Sequence, residues 1–492
     1  MDIRGPRLRK PSDEALEFTS SMAQDGRIAR HVVAVNMAHM LELVASGEVD
    51  ESVGGQCLKF LLRATTSIPS GSKAEDYHQQ LEQDAVDALG VDTAGYLNYG
   101  KSRNDQVATA LRMELRLRIV ALLKAVSGLQ DSILTFAKEH PSDIMPGYTH
   151  LQRAQPITVS HHMFAHFDSL QRDTERLLQL YSRVNLSPMG SAAMAGTSAK
   201  IDRRAVATAL GFDGIMSNAM DGVASRDFAL EALSVASMVS LNTGRLAEEL
   251  ILWSSAEFGF VEMDDAYAAS SSIMPQKKNA VVAEMVRAKE GSVIGSLVSV
   301  FSILKALPYS YNLDLQEATP HLWRAMDDAV DSVRLISGVL KTLRFNSKAA
   351  HDAVASDAST AVGLANYLVK QNDLSFREAH AMVGRAVKSA AEKNQSLRAF
   401  VGSGGLATLD GKKIHINQAT LTKLLDPRSF LESIATEGGS NPKFIPEEMS
   451  KRRKQLASNK AGASRFEEGL DEAERKLRAK ASGIAREVKS RK

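Results

Sequence analysis

The chain has 492 residues, 44% of them hydrophobic and 24% charged, which is ordinary for a soluble globular protein and enough for two or three domains around a large core. Its single cysteine, Cys57, excludes an intramolecular disulfide framework and points to a reducing compartment, so a cytoplasmic location is expected. The formal net charge of +2 hides an asymmetry: residues 451–492 carry 14 Lys/Arg against 6 Asp/Glu. That segment is read as a solvated, partly helical extension, because its acids are interleaved with its bases.

Met1 to Ser12 is polar and lacks the apolar middle of a signal peptide. No apolar run is read as long enough to cross a bilayer. Shorter helices are expected over the first hundred residues. From Asn104 to Lys138 apolar residues recur at helical spacing (Val107, Leu111, Leu115, Val120, Leu123, Val126, Leu129, Ile133, Phe136), and Pro141 follows. Four further long helices are expected at about Thr158–Arg183, Arg226–Phe258, Ala280–Lys305 and His321–Leu343. Few strand signals stand between them. Five long helices in the middle of the chain imply a mainly α, bundled core. Shorter helices return after Ser356, with a glycine-rich loop at Gly402-Ser403-Gly404-Gly405. The expected organisation is an N-terminal helical domain (1–103), a central long-helix bundle (104–355), a small C-terminal helical domain (356–450) and the basic extension (451–492).

Four polar clusters interrupt the apolar periodicity, each placed just before a long helix. They are Gly100 to Gln106, Gly147 to Gln152, Ser225-Arg226-Asp227 and Ser270 to Asn279. A helix start presents unpaired N–H groups and partial positive charge, and Arg103, Arg226, Lys277 and Lys278 add full charges, so the set suits a small polycarboxylate. Capping alone accounts for single Ser, Asn and Asp residues at helix starts. It does not account for three serines and a Met-Pro turn in one loop at Ser270–Asn279, which has the composition of a mobile functional loop.

Geometry adds a condition. A 35-residue helix is about 52 Å long. Successive helices of an antiparallel bundle start at opposite ends. The clusters before the first and second long helices therefore cannot meet within one chain, and a shared site requires an oligomer.

Other chemistries lack their signatures. His162 and His166 stand at i, i+4, beside His161, but no HExxH run or cysteine cluster accompanies them, and they are read as helix-surface residues with no metal expected. Ser70-Gly71-Ser72-Lys73 is too short for a phosphate loop, and neither a GxSxG elbow nor a strand-linked GxGxxG is present. The low aromatic content argues against a nucleic-acid function, and no membrane or nucleic-acid partner is expected.

The clusters resemble the signatures of the fumarase/aspartase superfamily, in its argininosuccinate lyase branch. Ser271-Ser272-Ile273-Met274-Pro275-Gln276-Lys277-Lys278-Asn279 is similar to the superfamily's serine loop with that branch's ending. Ser102 to Thr109, Thr149 to Pro156 and Tyr311 to Glu317 are similar to the same branch. Further similarity lies at Glu75-Asp76-Tyr77-His78 and Asp426-Pro427-Arg428. The resemblance spans about Thr19 to Pro442.

It implies a three-domain, mostly helical subunit, a homotetramer with a twenty-helix core, and sites drawn from three chains. The implied reaction is the elimination of argininosuccinate to arginine and fumarate, without cofactor or metal. The implied roles are Ser271 and His150 as the base and general-acid pair, read with Ser271 as base and His150 as acid although the sequence leaves open which takes and which gives the proton. Glu284 orients His150, and Lys277 with the serine-loop amides stabilises the carbanion, Asn279 adding a contact. Arg103, Asn104 and Ser102 should hold the substrate's carboxylate and amino-acid end, Thr149 the fumarate portion, and Tyr311 and Gln316 the polar ends. Ser21 and Asp25 fall in a substrate-contacting segment, and Arg226 and His78 at the periphery.

Four positions depart from the family pattern: Thr319 where a lysine is usual, Asn98-Tyr99 for His-Thr, Val32 for an acid, and Ser270 for glycine. A sister lyase, a non-catalytic structural protein on the same scaffold, and a helical scaffold using its basic tail are the alternatives.

Overall fold

The computed structural model describes residues 11–490 apart from 69–71, 357 and 409. Most of the polar start, together with Ser70 and Gly71 of the short serine-lysine string, lies outside these residues. Five long helices dominate: α1 (Arg103–Glu139), α2 (Val159–Val184), α3 (Asp227–Ser254), α4 (Val281–Leu304) and α5 (Asp314–Thr342). α3, α4 and α5 pack on one another, and α1 packs on α2 and α5. α5 begins seven residues before the expected start and carries Pro320 in its second turn. Pro320 masked the helical start in the sequence; as the seventh residue it forgoes the one bond an N–H there would make to the Gln316 carbonyl, and the helix runs on through it.

α1 is the core helix. It is buried on most sides, from Ala108 through Leu115, Ile119, Leu123, Val126 and Leu129 to Ile133. One 18-residue window of it reaches a mean hydropathy of 1.4, contrary to the reading that no run is apolar enough to span a bilayer, and 72% of that window is buried inside the protein. Arg112 and Arg116 are fully buried in the same helix, stacked over Phe228 and Phe212 at 4.1 Å and 3.9 Å. Arg116 spends its guanidinium on the carbonyls of Leu210 and Gly211 and on Asn185 Oδ1 at 2.7 Å.

The connection from α1 to α2 is a β-hairpin, β1 (Ile144–Thr149) paired antiparallel with β2 (Gln152–Thr158). The cluster at 147–152 was placed directly before a helix; it is instead the tip of this hairpin. Pro146, Gly147 and Pro156 hid the strands, since proline and glycine weaken a strand reading.

The basic C-terminal segment is also corrected. Ile445–Ser490 is one helix, α6, of 46 residues, so the expected boundary at 450/451 falls inside it. Leu456, Ala463, Leu477, Ala481 and Ala485 are buried in the main core, Phe466 stacks on Tyr181 at 3.8 Å, and Arg452 pairs with Asp168. Leu456, Ala463, Leu470, Leu477 and Ile484 recur every seven residues, a seam that the abundance of Lys and Arg concealed. The main core is continuous from Met22 to Ala353 and takes in α6, whereas Leu364 to Leu425 form a separate small core.

One buried ionic network fixes the N-terminal segment on the bundle. Glu114 of α1, 1% exposed, accepts bonds from His31 (2.9 Å), Arg30 (2.9 Å) and Arg118 (2.8 Å), and Arg118 and Arg27 share Asp327 of α5. Burial pushes the Glu114 carboxyl up, but these three partners outweigh it and hold it down at about 2. A depressed carboxyl stabilises the fold above its unfolded value and loses that contribution as pH falls toward the folded value. Urea unfolding followed by circular dichroism should therefore show stability falling by about 3 kcal/mol from this group between about pH 4.5 and 2. Glu114→Gln should lower stability at pH 7 by about 3 kcal/mol and flatten that acid limb.

Candidate functional site

The expected site residues fall into two groups at opposite ends of the subunit. Ser21, Asp25, His78, Arg226, Tyr311 and Gln316 line one cleft, together with Gln24, Asp76 and Thr319. Ser102, Arg103 and Asn104 start α1 beside it. Arg103 donates to Asp76 Oδ2 at 2.9 Å and approaches Glu75 at 3.4 Å. Arg226 also borders a neighbouring cleft with Leu304 and Tyr309, whereas the cleft between α2 and the start of α6 holds none of the expected residues.

The cleft is built around buried charge. Asp25 accepts from Tyr77 N–H (2.9 Å) and the Ser21 hydroxyl (3.0 Å), and burial raises it to about 6. Burial lowers the His78 imidazole to about 4, so it is neutral at pH 7. Arg226 is 4% exposed. Two of its bonds go to the carbonyls of Val223 (3.3 Å) and Ser225 (2.8 Å), its Nε is unpartnered, and burial lowers it to about 10. It remains a cation with no carboxylate in contact among the described residues, as an anion subsite requires. Gln316 Nε2 donates to the Thr19 carbonyl (3.0 Å), and burial raises the Tyr311 hydroxyl.

Ser102 is occupied as a helix cap. Its Oγ accepts from Asn104 N–H at 3.3 Å while Asp105 accepts from Ser102 N–H at 3.1 Å. Asp105, fully buried, also accepts from the amides of Gly190 (3.1 Å) and Ala192 (2.8 Å), and Asn104 donates to the Ala193 carbonyl (3.1 Å), which locks the 190–193 turn over the start of α1. Lys101 was quoted in the sequence only as part of a motif. Its ammonium is buried against the side-chain oxygens of Asn36 and Gln106, and burial lowers it to about 7.

The second group sits at the other end. Thr149 and His150 are exposed at the hairpin tip, where His150 (φ 55°) and Leu151 (φ 56°) both adopt the left-handed conformation of a two-residue turn. The serine loop runs between two short strands, β3 (Ala269–Ser270) and β4 (Lys278–Asn279). Ser271 Oγ accepts from the amides of Ile273 (3.3 Å) and Met274 (3.1 Å). Lys277 and Glu284 are exposed and Asn279 is half-buried. Lys278, read in the sequence as adding a full charge, is paired with Asp265 (2.6 Å) and Glu262 (3.2 Å). Among the described residues no hydrogen bond joins Glu284 to His150 within the subunit.

Helix lengths set the separation. The end of α4 reaches the cleft around Arg226, where Leu304 and Tyr309 lie, so the serine loop at the start of this 24-residue helix is about 36 Å away. The hairpin follows the far end of the 37-residue α1, about 55 Å from Arg103. Tyr148 lies 5.5 Å from Phe258, which places hairpin and serine-loop stem at the same end.

A bundle of this form, with anion-seeking loops at both ends, defines a helical lyase of the fumarase/aspartase type. A family model for lyases matches residues 12–295, and one for the argininosuccinate lyase C-terminal region matches 358–432. The argininosuccinate lyase of Methanoculleus marisnigri is 42% identical over 473 residues, covering 95% of this chain and 96% of that protein. That of Methanothrix thermoacetophila is 40% identical, covering 99% of each. A crystal structure of EDDS lyase in complex with formate superposes with a TM-score of 0.88 at 26% identity, over 98% of this chain and 97% of that one. The chain belongs to the argininosuccinate lyases, and its reaction is the reversible elimination of argininosuccinate to arginine and fumarate.

The hairpin tip carries conformational strain. A non-glycine residue in the left-handed region costs about 1–2 kcal/mol, and Leu151, 70% exposed, has little packing within its own subunit to offset it. Leu151→Asn should therefore raise unfolding stability by about 1 kcal/mol, measured by urea titration. An unchanged or lower stability would contradict the strain.

Proposed function

We propose that the elimination runs at composite sites of a homotetramer, each built from three subunits. One subunit supplies the Arg103–Arg226–Gln316 cleft, a second the Thr149-His150 hairpin and a third the serine loop. The observation that carries the sharing between subunits is the separation of about 36 Å or more between the cleft and both loops in one chain, while the supply of hairpin and serine loop by two different chains follows the family resemblance. A second supports it. α3 and α4 expose Met238, Leu241, Met285, Ile294, Val298 and Phe301, the last two at 59% and 54%, with Ile294, Val298 and Phe301 at i, i+4 and i+7 on one helix face. Such a stripe suits burial against another copy. A cytoplasmic setting is part of the same reading, supported by the single, buried Cys57.

In this site Ser271 takes the proton from the carbon beta to the departing nitrogen. That carbon is a weak acid, and the electron pair moves onto the adjacent carboxylate. Lys277, Asn279 and the serine-loop amides hold the added charge, which is the largest demand of the reaction. His150, oriented by Glu284, protonates the leaving guanidinium nitrogen as the C–N bond breaks. Thr149 holds the fumarate portion, while Arg103, Asn104 and Ser102 hold the carboxylate and amino-acid end. Tyr311, Gln316, Ser21 and Asp25 bind the polar ends, with Arg226 and His78 behind them. The solved EDDS lyase variant with bound fumarate, a TM-score of 0.86 from this chain, supports a dicarboxylate at this fold's site.

Two experiments test the reading. Ser271→Ala and His150→Asn should each lower fumarate release by at least ~100-fold, the scale of a lost acid/base partner. Near-normal rates in both would overturn the roles. Mixing the two inactive variants under conditions that exchange subunits should restore about a quarter of wild-type activity, since a site drawing its two groups from different chains is intact in that share of a random mixture. No recovery in mixed tetramers verified by mass would overturn the shared site.

A further inference from the structure

Away from the reaction groups, α2 and α3 bring three metal-ligating side chains together. His162 and His166 stand one turn apart on α2, and Glu249 comes from the penultimate turn of α3. Both imidazole Nε2 atoms meet the same oxygen, Glu249 Oε2, at 2.6 Å and 2.8 Å. The three donor atoms all lie within 4.8 Å of one another. In the sequence the imidazole pair had no third ligand, because Glu249 is 83 residues beyond His166 and only the packing of α3 on α2 supplies it.

We propose that His162, His166 and Glu249 bind one transition-metal dication of the zinc class, joining α2 to α3. A carboxylate has two oxygens and about four lone-pair sites, so two independent imidazole donors are served with less mutual repulsion by one oxygen each. Two ring nitrogens drawn to one oxygen instead leave three metal-ligating atoms in a single cluster within 4.8 Å, the grouping from which a coordination sphere is built. Zinc bonds of about 2.0–2.2 Å in a tetrahedron place neighbouring donors roughly 3.4 Å apart. Metal entry would require Glu249 to withdraw from its present 2.6 Å and 2.8 Å contacts, and the two imidazoles to settle at the same separation from each other.

Two neutral imidazoles and one carboxylate carry a single negative charge, which attracts a dication. They are also borderline ligands that favour Zn2+, Co2+ or Ni2+ over Mg2+ or Ca2+. The side chains are 21%, 11% and 34% exposed, so a water can complete the sphere. The Trp253 ring lies 4.9 Å from that of His162 and restricts its rotation. None of the three residues has a part in the elimination as assigned above, so this inference stands or falls independently of the composite site.

The test uses the full-length protein stripped of metal by a chelator and then titrated with zinc in competition with a chromogenic chelator. Wild type should take up about one equivalent per chain and gain roughly 5 °C in thermal midpoint, and Mg2+ at the same concentration should give neither. Co2+ in place of zinc should give the visible ligand-field bands of tetrahedral coordination. The double variant His162→Gln, His166→Gln keeps amide donors for Glu249 and should retain its helical spectrum and fumarate release. It should lose the zinc equivalent, the thermal gain and the cobalt bands. Zinc uptake by wild type no greater than by this variant, or a gain equalled by Mg2+, would overturn the proposal.

Discussion

The close packing of α1 on α2 and α5 holds the two ends of the subunit, each carrying part of the candidate site, at a fixed distance. α1 is buried on most sides along 37 residues, with two arginines locked into it by aromatic rings and carbonyls, and has no room to bend. Its start carries Arg103 and Asn104, and its end feeds the hairpin that presents His150. α3 and α5 also start at the first end, and α4 starts at the second with the serine loop. Because successive helices run antiparallel, polar clusters before alternate helices collect at the same end. A substrate the size of two small amino acids cannot bridge the ends, so a chemistry that needs both must bring subunits together.

Electrostatics divides along the same line. The cleft end holds its charge preorganised and partly desolvated, with Arg226 buried without a carboxylate in contact, Asp25 raised to about 6, and Arg103 facing Asp76. The other end is exposed and built from turns: a strained hairpin tip, and a loop in which Ser271 caps two amides. Buried charge suits a binding surface that must recognise a fixed pattern of anions and cations. Exposed turns suit groups that meet the substrate only when another chain presents it. The Glu114 network ties the N-terminal segment, with Ser21 and Asp25, to the cleft end.

Much of this was legible in the sequence, for reasons that can be stated. The five long helices follow from apolar spacing that tertiary structure respects, and their boundaries fall within a few residues except at α5, where Pro320 hid the first turns. The serine loop was legible because no cap needs so many small polar residues. The hairpin was not, since its strands are written in Pro, Gly and Gln. Neither was the burial of α6, whose seven-residue seam of Leu and Ala is outnumbered by charge. Pairings between distant residues left no local trace. The neutralisation of Lys278 by Asp265, the role of Asp105 in fixing the 190–193 turn, the burial of Lys101 and the approach of Glu249 to two histidines all depend on elements that meet only in the fold.

The most direct measurement is a structure of the assembled protein with fumarate bound, read for the chain that supplies each contact. The account predicts that Arg103, His150 and Ser271 reach one ligand from three different subunits. A ligand held by all three from a single chain, or a monomer that turns over substrate, would contradict it.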